Sequence, residues 1–465
     1  MLAAGLMLAL SLVIRFAGHG GVDEPRFDEK FSHPPISALV REGWSVRTAI
    51  DFEETKGPGF IWPYAAAGAI LGDDLPSLRW VSILAFVAGV VPLLALARRA
   101  GVHGPGLVGV ALLYALLPQQ ALLGQLVMSE PMFVTLSLCA VWAFWWGLEP
   151  GPACSTAGAS PRRIVVPGIV GPGIAGPVLV GLLLAVLLHS RIHAAALGLA
   201  FVLVAWERDR WRSWPWWLAV AIAGLSRIPL MLRWGGLVSP MFREEHQFGG
   251  GLIQWSNAAY LLAALLPLTG VFLLAGCTGQ RWRHAVADRM WRRSIVGAAA
   301  LVGAGIALLA PPSLASNLPA PPQLAAKAPD GLLRYLGPVA SIWRAIDDAA
   351  GPTIGPALAV AVVAILAGLG AASLAALGLR AWSRGSANQP WSGDARLLGR
   401  LSALTLAAGM GMYMLAQSFV VDRYLVPWAM LLPILWWTWL PRWVTTLLGA
   451  ALAVAMVGWT MRWLQ

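Results

Sequence analysis

The chain has 465 residues, of which 58% are hydrophobic and only 12% charged, with a mean hydropathy of +0.69. A soluble globule carries about 25% charged residues, so the composition excludes one and points to an all-α polytopic membrane protein. The net charge of +11 would suggest a nucleic-acid partner in a soluble protein, but here the arginines lie in short segments between apolar runs, where anionic headgroups and the positive-inside bias account for them.

The opening "MLAAGLMLALSLVI" lacks a basic start and a small-residue cleavage site, so it reads as a retained first span and not a signal peptide. The apolar runs that follow are long and do not alternate polar with apolar, which predicts helices and not barrel strands. About thirteen spans are expected, with cores at 2–18, 77–97, 106–122, 131–148, 164–188, 192–206, 214–232, 253–276, 294–311, 352–379, 401–418, 424–440 and 444–462. The break between 164–188 and 192–206 is slight, resting on "LLHSRIHAAAL". With the N-terminus inside, the segments predicted as cytoplasmic hold 17 basic and 5 acidic residues, and the remainder 16 and 17. That asymmetry puts the loop 19–76, Glu130, the "FREEHQ" stretch, the segment 312–350 and Asp422 outside. The chain then reads as a single transmembrane domain over 1–465, with two extracytoplasmic loops at 19–76 and 312–350. The second of these opens with an irregular Pro/Ala-rich stretch. Cys139, Cys154 and Cys277 suggest neither a disulfide framework nor a metal cluster.

Eight of the 22 acids fall between Asp23 and Glu54. "GHGGVDEPRFDEKFSHPP" mixes acids with aromatic residues and prolines, which predicts a packed loop at the membrane surface. The group holds Asp23, Glu24, Asp28, Glu29, His33, Glu42, Asp51, Glu53 and Glu54. Lys56, one of only three lysines, follows in "TKGPG", where Gly and Pro turn the backbone tightly. "FIWPYAAAGAILGDD" is too short to span once Pro63 is counted, and fits an interfacial helix. Glu130, in "LVMSEPMFVTLSL", sits at the mouth of a span. There it either favours a helix N-terminus or faces the same cavity as the first loop. Arg191, between His189 and His193, and Arg423, in "FVVDRYLVPW", lie within apolar sequence, where ionisable groups are costly and tend to be functional. Arg227 and Arg233 read as interface anchors. The chain holds no phosphate loop, His-Glu-x-x-His or Gly-x-Ser-x-Gly motif, so nucleotide-driven chemistry is not expected within it. The clustered acids leave room for a divalent cation, but no spacing requires a metal.

These motifs, in this order, resemble the GT-C integral membrane glycosyltransferases. "DEKFSHPP … TKGPGF" is similar to the opening loop of the dolichol-linked oligosaccharide glucosyltransferases. "FEETKGPGFIWPYAAAGAILGDDLPSLRWVS" resembles the Glu-Lys-Pro-Pro run of bacterial lipid A aminoarabinose transferases and the related protein O-mannosyltransferases. "VMSEPMFVTLSL" resembles their Pro-Asp segment, with Glu130 in place of Asp. "GLLLAVLLHSRIHAAAL" puts Arg191 at a basic position, and "DRYLVPWAMLLPIL" resembles their Arg-Tyr-Leu segment. The resemblance implies a GT-C-type fold with interfacial helices in the first outer loop, without the large C-terminal soluble domain many members carry. It implies a polyprenyl-phosphate-linked sugar donor, a lipid or glycan acceptor, and inversion at the anomeric carbon. It places the catalytic Asp at Asp28, with Asp23 as the alternative, the second acid at Glu130, and the phosphate-binding lysine at Lys56. Arg191 and Arg423 would join Lys56 at the phosphate, and Glu29, His33, Glu54 and His193 would line the substrate. The expected setting is the bacterial inner membrane, with the site on the extracytoplasmic face amid membrane lipids. A polytopic transporter or lipid flippase is the alternative reading. It calls for charges buried mid-span and two matching halves, whereas the acids here concentrate in one outer loop.

Overall fold

The computed structural model describes residues 29–52, 56–116, 126–148, 172–236, 364–372 and 393–415, with short runs and isolated positions elsewhere. Among the described residues all regular structure is helical. The expected spans 2–18, 253–276, 294–311, 424–440 and 444–462, and the loop 312–350, lie outside the described residues apart from isolated positions. The chain divides into two compact units, one of Asp23–Ala95 and Val127–Met241 and the other of Met1–Val22, Leu96–Leu126 and Phe242–Gln465.

The first unit begins with α1 (Glu29–Glu42), where the sequence suggests a packed loop. The reason is a stripe at helical spacing: Glu29, Ser32, Ile36 and Leu39 are all buried, and these positions recur every three to four residues. Pro34 and Pro35 lie inside the helix and withdraw the donors for the carbonyls one turn back. Packing of the stripe, more than the backbone ladder, therefore holds α1. Glu29 in the first turn and Arg41 in the last suit the helix dipole. A short α2 (Val46–Ala49) follows, closed by a capping box between Ser45 and Thr48.

The run expected to be a short non-spanning helix is α3 (Pro58–Leu71), with Gly57 at its N-cap and Pro58 at its first position, where a missing N–H costs nothing. Gly72, at φ +105°, ends it with a backbone few other residues adopt. α4 (Leu75–Arg99) and α6 (Ser129–Gly147) match the spans expected at 77–97 and 131–148. α7 (Pro172–Ser190) and α8 (Ala195–Asp209) are separated at Arg191, whose backbone is extended, and by a 3-10 turn over Ile192–Ala194. The slight interruption in sequence is thus a true helix break. The span expected over 214–232 is itself broken, into α9 (Trp214–Leu225) and α10 (Ile228–Trp234).

α7 packs against α6, α9 and α3, and α1 packs against α3. Gly147 and Gly176 let α6 and α7 touch backbone to backbone, since a methyl on Gly147 would fall 2.8 Å from the Gly176 Cα. Small residues at such crossings are how membrane helices approach closely. Ile36, Leu39, Phe60, Ile61, Leu78, Val127 and Trp234 share one core beneath α1 and α3. In the second unit, α5 (Pro105–Leu116) and α11 (Gly393–Leu415) overlap the spans expected at 106–122 and 401–418, α11 starting eight residues earlier than expected. Three described helical stretches, Leu75–Arg99, Ile192–Trp234 and Asp394–Leu415, are long and apolar enough to cross a membrane.

The turn after α3 is locked by polar contacts. His33 Nε2 donates to the Asp73 carbonyl at 2.7 Å, Arg41 Nε donates to the Asp73 carboxylate at 2.7 Å, and the Ser37 hydroxyl bonds the same oxygen. The Ser37 hydroxyl and the Arg41 guanidinium hold this carboxyl below its ordinary range. Its stabilising effect is therefore complete above about pH 4 and fades as pH falls through the lowered value. Thermal melts should show wild type above Asp73→Asn at pH 7, with the gap closing in acid. A gap that persists or widens in acid would contradict the assignment.

Candidate functional site

All six buried Asp, Glu, Lys and Arg side chains among the described residues lie in the first unit: Glu29, Lys56, Arg79, Glu130, Arg191 and Arg227. Burial of a charge is costly unless it is paired and hydrogen-bonded, so their placement needs a reason at each point.

Glu29 is fully buried on the first turn of α1. Arg79 Nε and Nη2 donate to its two oxygens at 3.0 and 2.6 Å, and the Val127 amide donates at 2.8 Å. A forked guanidinium on a carboxylate is the strong form of this contact. One turn along α1, Ser32 Oγ accepts from Lys56 Nζ at 3.2 Å, and the ammonium also sits 5.8 Å from the Phe60 ring centre.

The Lys56–Gly57 turn is fitted onto the end of α7. Gly57 N donates to the Ser190 carbonyl at 3.3 Å, so Lys56 and Arg191 flank a single backbone hydrogen bond. Gly57 and Gly59 make this contact feasible, because a methyl at either would fall 2.0 Å from the His189 carbonyl oxygen or 2.2 Å from that of Val186. Gly57 caps α3 with an extended backbone, and the requirement behind the glycines is close approach of backbone to backbone. Arg191 then reaches the N-terminus of α6, where its Nε donates to Ser129 Oγ at 2.6 Å and its Nη2 to Glu130 at 2.5 Å. Glu130 sits in the first turn of α6, the first of the two placements the sequence allows, and pairs there with Arg191.

Between these pairs stands Tyr64 of α3, fully buried, with its hydroxyl bonded to Ser82 Oγ at 2.7 Å and to the Met128 carbonyl at 3.2 Å. The four residues Val127–Glu130 thus meet Glu29, Tyr64 and Arg191 in turn.

Of the residues expected to form the site, Glu130 and Arg191 pair directly, Lys56 adjoins Arg191 through the Gly57–Ser190 backbone bond, and Glu29 is held by Arg79 and Val127. His33 is turned to Asp73, and His193 packs edge-on against Phe133 at 6.0 Å between ring centres. Asp23, Asp28, Glu54 and Arg423 lie outside the described residues. Among the described residues no three His, Cys, Asp or Glu side chains converge as a metal site requires.

Arg227 corrects an expectation. It is buried and not an interface anchor, because the break between α9 and α10 points it inward. There it donates to the Leu188 carbonyl and lies 5.8 Å from the Trp234 ring centre. A cation at a helix C-terminus is favourable. Arg233 stays exposed, paired with Asp51. Arg79, Tyr64 and Ser32 were given no role by the sequence reading. Arg79 had a signal, since an arginine early in an apolar helix marks a buried partner, while the two hydroxyls had none.

No family model matches the sequence, and no curated protein matches it. Solved structures do. ArnT from Cupriavidus metallidurans bound to undecaprenyl phosphate is similar at 14% identity and a TM-score of 0.42, over 98% of this chain and 76% of that one. The protein O-mannosyltransferase Pmt1-Pmt2 complex of S. cerevisiae, bound to the sugar donor, is similar at 15% identity and a TM-score of 0.34, over 50% of this chain. The present chain covers 31% of that protein's length. The oligosaccharyltransferase AglB from Archaeoglobus fulgidus, in complex with an inhibitory peptide and a dolichol-phosphate, is similar at 14% identity and a TM-score of 0.34, over 90% of this chain and 56% of that one.

Proposed function

We propose that the protein is a membrane glycosyltransferase that moves a sugar from a polyprenyl-phosphate donor to an acceptor hydroxyl on the extracytoplasmic face of a bacterial inner membrane. The observation that carries this reading is the Gly57–Ser190 hydrogen bond, which joins the backbone next to Lys56 to the backbone next to Arg191. These are the two cations that the sequence motifs assign to the donor phosphate.

In the proposed step the acceptor oxygen attacks the anomeric carbon from the face opposite the phosphate. The new C–O bond forms as the bond to the phosphate oxygen breaks, which inverts the centre. The acceptor's proton goes to the Asp28 carboxylate, which precedes α1 directly, or to Asp23 in the alternative alignment. Polyprenyl phosphate leaves with the bonding pair. It is a good leaving group and needs no general acid, but its charge must be held in a site shielded from water. Lys56 and Arg191 would do this, joined by Arg423. Glu130, Glu54 and His193 would orient sugar or acceptor, and the lipid tail would lie between spans, which aligns the reacting atoms.

Asp28→Asn in membranes supplied with radiolabelled undecaprenyl-phosphate hexoses should lower transfer by about 10²–10⁴-fold. Binding of undecaprenyl phosphate should stay near the wild-type value. Transfer at the wild-type rate would remove Asp28 from the mechanism, and loss in Asp23→Asn instead would move the base to Asp23. Uptake of label into sealed vesicles without a covalent product would favour a transporter.

A further inference from the structure

The two charged pairs of the site are on different helices, yet both meet the same short segment. Val127 N holds Glu29, the neighbour of Asp28. Ser129 and Glu130 hold Arg191. Between them the Met128 carbonyl accepts from the Tyr64 hydroxyl. The backbone at Met128 is extended, at φ −135° and ψ 158°, so these residues have no helical ladder to fix them until α6 begins at Ser129. Tyr64 is itself fixed, being fully buried, bonded to Ser82 on α4, and packed at 4.9 Å against Phe60, on which Lys56 also lies.

We propose that Tyr64 is a positioning residue that couples the two halves of the site, holding Val127–Glu130 so that the Glu29 anchor and the Arg191 cradle are set together. The hydroxyl touches neither donor nor acceptor. It acts through the Met128 carbonyl, so its loss changes how well Arg191 is presented to a phosphate and how well α1 presents Asp28. The inference rests on the donor reading above and adds a residue whose role that reading does not require.

Tyr64→Phe removes the hydroxyl and keeps the ring. In full-length protein in detergent, with undecaprenyl phosphate as the probe, binding should weaken about tenfold, on the scale of one lost buried hydrogen bond. Amide exchange should quicken at Val127–Glu130 and not along the rest of α6. The discriminating measurement is a double-mutant cycle with Glu130→Gln. If Tyr64 works through the Arg191 cradle, its effect on binding shrinks in that background. If it is only a packing residue, the two effects add, and the inference fails. Ser82→Ala, which removes the other partner of the hydroxyl, should weaken binding in the same direction by less, and serves if Tyr64→Phe does not fold. Wild-type binding in a folded Tyr64→Phe protein with unchanged exchange overturns the coupling alone. Failure of the wild-type protein to bind undecaprenyl phosphate overturns the donor reading and this inference with it, whatever the exchange pattern.

Discussion

Arg79→Met should destabilise the protein by about 3–5 kcal/mol, among the largest effects of any single substitution in it. Arg79 is 1% exposed and Glu29 0%. The carboxylate is satisfied by two guanidinium contacts and one amide, at 3.0, 2.6 and 2.8 Å. Methionine keeps the apolar stem but strips the charge, taking both guanidinium contacts from a buried carboxylate. Breaking such a pair from one side costs far more than the pair is worth as a whole. The double variant Arg79→Met/Glu29→Gln should therefore recover most of the loss. Its Gln oxygen still accepts from Val127, and no unpaired charge remains. Thermal melts of purified protein in detergent, compared as a double-mutant cycle, test this. A single variant that melts within a degree of wild type, or a double variant worse than both singles combined, would show that the pair is not what anchors α1. The same substitution loosens the first turn of α1, which directly follows Asp28, so transfer should fall further than melting alone accounts for.

What sequence conveys about this molecule depends on the range of the interaction. The helical class and several span boundaries follow from apolar run length alone, as at α4 and α6. The break at Arg191 is legible for a related reason. A charge set in apolar sequence between two histidines is hard to bury along a helix side, and it is easier to place where the helix stops and the backbone is extended. The stripe Glu29–Ser32–Ile36–Leu39 was also open to reading. The two prolines masked it, because a local rule about breakers outweighed a helical period spread over eleven residues. Pairings are different. Arg79 lies fifty positions from Glu29 and Val127 ninety-eight, and no local pattern marks which cation meets which acid. Tyr64 carries no charge, so nothing in its neighbourhood distinguishes it from a packing aromatic. Arg227 was misjudged for the opposite reason, since it stands near the end of an apolar run, where arginines usually reach for the interface. Only the break at Ser226–Arg227 turns it onto the carbonyls of α7. The motif residues Lys56, Glu130 and Arg191 could be picked out singly, while what links them is an Arg191–Glu130 ion pair and a Gly57–Ser190 backbone bond that Gly57 and Gly59 permit.

That contact makes Gly57→Ala the second substitution with a large expected effect, for a reason unrelated to charge. Gly57 has φ −81°, a conformation alanine adopts freely, so the backbone itself imposes no strain. The obstacle is space. The added methyl would lie 2.0 Å from the His189 carbonyl oxygen and 3.1 Å from its carbon. Both are backbone atoms at the end of a helix, with no rotamer to swing aside. The turn must therefore withdraw by more than about 1 Å to reach normal contact, which breaks the Gly57–Ser190 hydrogen bond and carries Lys56 away from Arg191. A misplacement of that size in a reacting site costs about 10²-fold in rate. Sugar transfer per folded molecule should fall by that order, with undecaprenyl phosphate binding weakened in parallel. Gly59→Ala meets the carbonyl of Val186 at 2.2 Å and Ser190 N at 2.7 Å, so it should behave alike. Gly224→Ala is the control, because nothing lies within 4 Å of its added methyl and alanine favours the helix; it should leave binding and transfer unchanged. Elution as a single species and a near-normal melt separate a displaced turn from a failed fold. If Gly57→Ala is folded and binds undecaprenyl phosphate as the wild type does, then Lys56 and Arg191 do not hold one phosphate between them, because the backbone bond that joins the residues next to them cannot survive the substitution.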